Sequence, residues 1–168
     1  MIKRGRRIRE TAAIRAMVRE NSLSPNDFIY PLFVVEGENI KEEIKSMEGN
    51  YHWSIDRLHE VIEEVTNCGI KGIILFGIPQ EKDECGSSAY DSDGVVQKAI
   101  KKIRELSKDL YIITDVCMCQ YTIHGHCGIL NGHRIDNDLT LVKLGEIALS
   151  HARAGANMVA PSDMMDGR

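Results

Sequence analysis

Four short apolar runs recur along the chain, separated by amphipathic stretches, and this rhythm constrains the fold more than any other feature. Phe28-Ile-Tyr-Pro-Leu-Phe-Val-Val35, Ile70-Lys-Gly-Ile-Ile-Leu-Phe-Gly77, Tyr111-Ile-Ile-Thr-Asp115 and Asn157-Met-Val-Ala160 are rich in β-branched and aromatic residues and read as strands. Ile55, Leu58, Val61, Ile62 and Val65 form one face of a helix that Ser54 is placed to cap, with Asp56 near its positive end and Gly69 stopping it. Val95, Val96, Ala99, Ile100, Ile103 and Leu106 repeat that pattern after a cap at Asp91 or Ser92. Leu141, Leu144, Ile147, Ala148 and His151 repeat it again, after a cap at Asp136, Asn137 or Asp138 and before a stop at Gly155. Strands this continuously apolar belong in a parallel sheet with crossover helices outside it. Glu36–Trp53 and Pro79–Asp93 are expected to be polar connections, and Asn131-Gly132 predicts a hairpin within Gly128–Ile135.

Such a sheet either stays open and doubly wound or curls into a (β/α)8 barrel. No Gly-x-Gly-x-x-Gly turn follows any strand, which argues against the dinucleotide-binding form of the open sheet. Polar and metal-capable residues follow the second, third and fourth strands, which suits the C-terminal rim of a barrel. The expected fold class is therefore α/β: residues 28–168 as the first four strands and three helices of a (β/α)8 TIM barrel, truncated. Residues 1–27 precede it as an arm. Half a barrel is expected to leave the first and last strands with unpaired edges and its inner face wet.

The arm holds Lys3, Arg4, Arg6, Arg7, Arg9, Arg15 and Arg19 against Glu10, while the whole chain is acidic at a net charge of −4. With no aromatic side chains interleaved for stacking on bases, the arm reads as lying on an acidic surface of its own or a sister subunit, an oligomerisation element, and nucleic acid is not expected as a partner. No apolar run approaches the roughly 20 residues a membrane helix needs, so no membrane association is expected. The basic, polar N-terminus is unlike a signal peptide, so a cytoplasmic, reducing location is expected.

Chemistry concentrates in Asp115-Val-Cys-Met-Cys-Gln-Tyr-Thr-Ile-His-Gly-His-Cys-Gly128. If the preceding strand continues, Cys117 and Cys119 leave it on the same face, and Gly125 and Gly128 let the chain bring Cys127 to the same point. Three thiols fit an open, catalytic zinc site. A closed Cys3His knot using His124 or His126, and thiols with no metal, remain alternatives at this stage. Asp115 closes a hydrophobic strand beside the thiols, and Ser162 and Asp163 follow the fourth strand. Each is a candidate to orient or deprotonate a substrate, or merely to cap a loop. Cys68 is expected in the core and Cys85 in an exposed loop. His52, His59 and His133 are expected at the surface, and His151 as a satisfied core histidine. No lysine stands just after a strand, where a Schiff-base amine would need to be.

Five segments in this order resemble one family: RRIRETAAIRAMVRE in the arm, YPLFVVEG, LFGIP, TDVCMCQYTIHGHCG and VAPSDMMDGR. The family is 5-aminolevulinate dehydratase, or porphobilinogen synthase, and the resemblance spans essentially the whole chain. It implies a (β/α)8 barrel that condenses two molecules of 5-aminolevulinate into porphobilinogen with loss of two waters, in tetrapyrrole (haem) biosynthesis. It implies zinc on Cys117, Cys119 and Cys127, with His126 matching a second zinc position of some members. Asp115 and Ser162 match polar residues near the substrates, and the arm matches one that wraps a neighbouring subunit in a homo-oligomer, typically an octamer. The family's two Schiff-base lysines match no position here. This chain alone is therefore expected to be inactive until a C-terminal half completes it. The alternative is a non-catalytic zinc-binding or interaction module that docks on full-length subunits.

Overall fold

A computed structural model describes residues 5–168; Lys3 and Arg4 of the basic arm lie outside the described residues. Strand β1 (Ile29–Val35) pairs in parallel along its whole length with β4 (Gly72–Ile78), from Ile29 opposite Gly72 to Val35 opposite Ile78. β4 pairs in parallel with β5 (Tyr111–Val116), and β5 with β8 (Met158–Pro161), whose Pro161 faces Val116. These four are the apolar runs of the sequence, adjacent in chain order. Helices α2 (Leu58–Asn67), α3 (Val95–Leu106) and α4 (Asn137–Ala154) are the crossovers. An arm precedes them, with a 3-10 turn at Gly5–Arg9 and a short helix α1 (Ala12–Met17), and none of these arm residues is buried.

Leu32, Val34, Ile73, Leu75 and Ile112 point from the strands into a wholly buried layer with Val61, Ile62, Val65, Ala99, Ile100 and Ile103 of the helices. The other face of the sheet is only half-covered. Phe33 and Phe76 stack there at 5.2 Å, and both are half-buried while their neighbours one residue away are wholly so. That asymmetry is what a barrel wall shows when the lumen side lacks its opposite wall.

The structure corrects several expectations. The supposed polar connection Glu36–Trp53 holds two strands, β2 (Lys41–Glu43) and β3 (Tyr51–Ser54), paired antiparallel. β3 also runs parallel to the C-terminal half of β1, with Phe33 opposite His52 and Val35 opposite Ser54, so that half of the edge is paired rather than bare. Ser54 caps no helix through its side chain. Its hydroxyl accepts from Ile40 N–H at 2.8 Å and ties the hairpin down. Gly94, not Asp91 or Ser92, precedes α3, while Asp91 accepts from Asp93 N–H in the turn before it. The hairpin β6 (Leu130–Asn131) to β7 (Arg134–Ile135) turns through Gly132 and His133, one residue later than predicted. Asp136 does cap α4, accepting from Leu139 N–H at 3.0 Å, and Gly155 ends it at φ +111°.

Cys68, expected in the core, is instead exposed at the C-cap of α2, where the chain turns at Gly69 (φ +79°) and leaves the helix's apolar face. Cys85 is exposed as expected, and so are His59 and His133, but His52 is half-buried edge-on against Phe33. Arg104 of α3 joins distant segments by donating to the carbonyls of Leu110 and Gly155 and to Asn157 Oδ1, which also accepts from Ile112 N–H at 2.8 Å.

Candidate metal centre

β5 ends at Val116, so the strand alternation invoked for Cys117 and Cys119 does not apply to them. A tight turn brings their sulfurs together instead. Tyr121 and Thr122 both donate backbone N–H groups to the Met118 carbonyl, at 2.9 and 3.0 Å, and coil the chain beyond the strand tip. Met118 and Tyr121 anchor that turn, buried with Val116, Leu144 and Ile147 in a second apolar cluster. Gly77 allows the close approach: a Cβ there would lie 2.4 Å from Tyr121 Oη. Cys127 returns on a loop that bends at Gly125, with φ +72°, and then passes Gly128, which is packed so tightly on Thr140 that a Cβ would sit 2.6 Å from its Oγ1.

The sulfurs of Cys117, Cys119 and Cys127 all lie within 4.8 Å of one another, with Cys117 and Cys119 3.5 Å apart. Zinc–sulfur bonds of about 2.3 Å at tetrahedral angles place sulfurs roughly 3.8 Å apart, so the three thiols fit three corners of such a site. No histidine or carboxylate belongs to this cluster among the described residues. The chain thus has a thiol cluster able to hold a metal ion. Burial, reinforced by Cys117 and Cys127 beside it, pushes the Cys119 thiol up to about 12, and burial also raises Cys127. Cys119 and Cys127 thus resist carrying negative charge, and a cation among the sulfurs is what reverses that balance.

Beside the cluster, Asp115 accepts from Ser162 Oγ at 2.6 Å through one carboxylate oxygen and from Gln120 Nε2 at 3.0 Å through the other. Gln120 Oε1 in turn accepts from Cys119 Sγ at 3.3 Å. A continuous hydrogen-bonded path therefore runs from the thiols to the tip of β8. Asp163 is buried, and its carboxylate accepts from Met165 N–H at 2.7 Å and from Arg168 at 3.0 Å. His126 is exposed, and its N–H donates to His124 Nδ1 at 3.1 Å. Sequence reasoning missed Gln120, whose only signal is its place immediately after a thiol ligand candidate. It also missed Asp83. Asp83 N–H donates to the Tyr121 carbonyl, and its own carbonyl accepts from Ile123 N–H at 3.0 Å, so the loop after β4 clasps the cysteine turn.

The sequence profile of delta-aminolevulinic acid dehydratase matches residues 2–168. The chain belongs to the delta-aminolevulinic acid dehydratase family. It is 54% identical to the dehydratase of Ruminiclostridium josui over 168 residues, covering all of this chain and 82% of that protein. It is also 54% identical to that of Methanothermus sociabilis over 165 residues, covering 98% of this chain and 51% of that protein. A crystal structure of the Toxoplasma gondii ME49 dehydratase (porphobilinogen synthase), in complex with the reaction product porphobilinogen, matches with a TM-score of 0.95 at 38% identity, covering 100% of this chain and 49% of that one. The chain thus spans about half the length of the Methanothermus and Toxoplasma dehydratases, and strands β1, β4, β5 and β8 with their three crossover helices are the first half of the dehydratase (β/α)8 barrel. No described helix is long and apolar enough to cross a membrane.

Proposed function

We propose that this chain is the metal-bearing half of a 5-aminolevulinate dehydratase, the enzyme that joins two 5-aminolevulinate molecules into porphobilinogen with loss of two waters. The observation that carries the reading is the position of three convergent thiols at the C-terminal tip of β5, one hydrogen-bonded path away from Asp115 and Ser162. Active sites of (β/α)8 barrels lie at that rim.

In this proposal Cys117, Cys119 and Cys127 would hold zinc. A zinc ion held there would supply Lewis acidity toward a substrate oxygen. The remaining work falls to the chain's own groups. Asp115, oriented from both sides by Ser162 and Gln120, presents a fixed carboxylate acceptor to a substrate amine or to a proton being removed. Ser162 offers its hydroxyl oxygen at the same tip. His126, exposed beside Cys127, is proposed as the contributor to a second zinc position. Lys41 opens β2 but is tied to Glu60 and the Trp53 ring, and no described lysine stands at the C-terminal tips of β1, β4, β5 or β8, so in this proposal the amines that form Schiff bases with the substrates come from a C-terminal half. The exposed basic arm is proposed to wrap a neighbouring subunit in a homo-oligomer, and free thiols in such a cluster suit a cytoplasmic location.

Zinc titration of the purified chain, read with the product assay, tests this. The proposal expects one zinc per chain bound through thiolates, and porphobilinogen only when a C-terminal half is supplied. Stoichiometric zinc with no product under either condition favours the non-catalytic module instead.

A further inference from the structure

Cys117 and Cys119 ride on the tip of β5, but Cys127 reaches them only after the loop of residues 120–126. Something must fix the far end of that loop. The His126 carbonyl, in the peptide that leads into Cys127, accepts from Thr122 Oγ1 at 2.9 Å. Thr122 is wholly buried, and its backbone is held on both sides: its N–H donates to the Met118 carbonyl, and its neighbours Tyr121 and Ile123 bond to Asp83. Asp83 is itself fixed, its carboxylate accepting from the N–H groups of Cys85 and Ser87 and from the Ser87 hydroxyl. The Thr122 hydroxyl therefore projects from a braced point on the rim and clamps across the loop. His124 complements it by accepting the His126 N–H at Nδ1, 3.1 Å away.

We propose that Thr122 is a positioning residue for the metal: its hydroxyl fixes the peptide before Cys127 and so preorganises the third sulfur. The inference rests on the reading of the three cysteines as zinc ligands. Groups that orient metal ligands cost about ten- to a hundredfold in affinity when removed. Thr122→Val keeps the β-branched shape but removes the donor, and Thr122→Ser keeps the donor but removes the methyl group.

The experiment uses the full chain and compares parent, valine and serine forms by zinc competition against a chromogenic chelator. It also records the thiolate-to-cobalt charge-transfer absorption with cobalt(II) in place of zinc. The expected result is zinc affinity about ten- to a hundredfold weaker for the valine form, a weaker charge-transfer band at saturating cobalt, and recovery of both by serine. If the valine form does not fold, His124→Phe, which removes the acceptor of the His126 N–H, carries the same expectation. Valine and parent binding alike with the same cobalt spectrum overturns the inference, and so does a serine form as weak as valine, which marks a packing role. A parent chain that binds neither metal overturns the reading of the cysteines themselves.

Discussion

Ser162 and Asp115 lie 47 positions apart in sequence and share a 2.6 Å hydrogen bond, donated by the serine hydroxyl to the carboxylate. The contact exists because β5 and β8 are neighbours in register, with Asp115 opposite Ala160 and Val116 opposite Pro161, so that both chains end at the same height. Ser162 N–H also donates to the Val116 carbonyl at 3.2 Å, which fixes the serine backbone. A carboxylate held in this way pays little reorganisation when a substrate arrives.

Removing that bond should therefore act on turnover more than on folding. In a dehydratase completed with a C-terminal half, Ser162→Ala is expected to lower kcat/KM by roughly 10- to 100-fold, the value of one hydrogen bond to a charged group. Asp115→Asn should cost more, since it also removes the charge. Steady-state kinetics on the variants check this, and an unchanged kcat/KM in both contradicts the assigned roles.

Metal binding should stabilise the chain. A ligand at about 100 times its Kd adds roughly 2.7 kcal/mol to a protein that binds it only when folded. Thermal melts with and without zinc should show a clear rise in Tm for the parent and little or none for Cys119→Ser, which takes one corner from the cluster. A chelator should reverse the rise.

Gly77→Ala probes the support of the same cluster from β4. The added Cβ would lie 2.4 Å from both Tyr121 Oη and Val96 Cγ2. Overpacking of this kind costs about 1–3 kcal/mol. Because Tyr121 anchors the cysteine turn, denaturant melts should show that loss together with weakened zinc binding. Zinc affinity at the parent value would show that the turn holds without this contact.

His151 supplies a pH dependence. It is wholly buried on α4, as the apolar stripe predicts, but neither ring nitrogen has a hydrogen-bond partner among the described residues, so it is not the satisfied histidine that was expected. Burial lowers its pKa from 6.5 to about 4. The unfolded chain therefore binds the proton first as pH falls. The stability tied to the neutral ring is complete above about pH 6.5 and is lost progressively down to about pH 4, on the order of 3 kcal/mol in all. His151→Leu should flatten that part of the stability curve. An equally steep curve in the variant contradicts it.

Sequence patterning made the parallel core legible because burial there is local and periodic. The four apolar runs and the helical stripes through Val61, Ile100 and Ile147 each announce themselves within a single element. The β2–β3 hairpin did not, since Glu42 and Glu43 sit on an exposed edge and only Trp53 and Ser54 are deeply buried, the former under the Lys41 ammonium 4.5 Å from its ring. Its strand character comes from pairing with β1, a tertiary contact that periodicity does not carry. At the metal centre, residue types and spacing marked the thiols. The clasp by Asp83 and the Thr122 and Gln120 side-chain bonds were hidden, because each joins segments by backbone or side-chain geometry rather than by composition.

The most direct test of the central claim is a 5-aminolevulinate turnover assay with zinc, run on this chain alone and on the chain co-expressed with the C-terminal half of a dehydratase relative. The account predicts no porphobilinogen from residues 1–168 alone and zinc-dependent product from the pair, abolished by Cys119→Ser. Product from the chain alone would contradict the assignment of the Schiff-base amines to the other half. A folded, zinc-loaded pair that makes no porphobilinogen would contradict the proposed function itself.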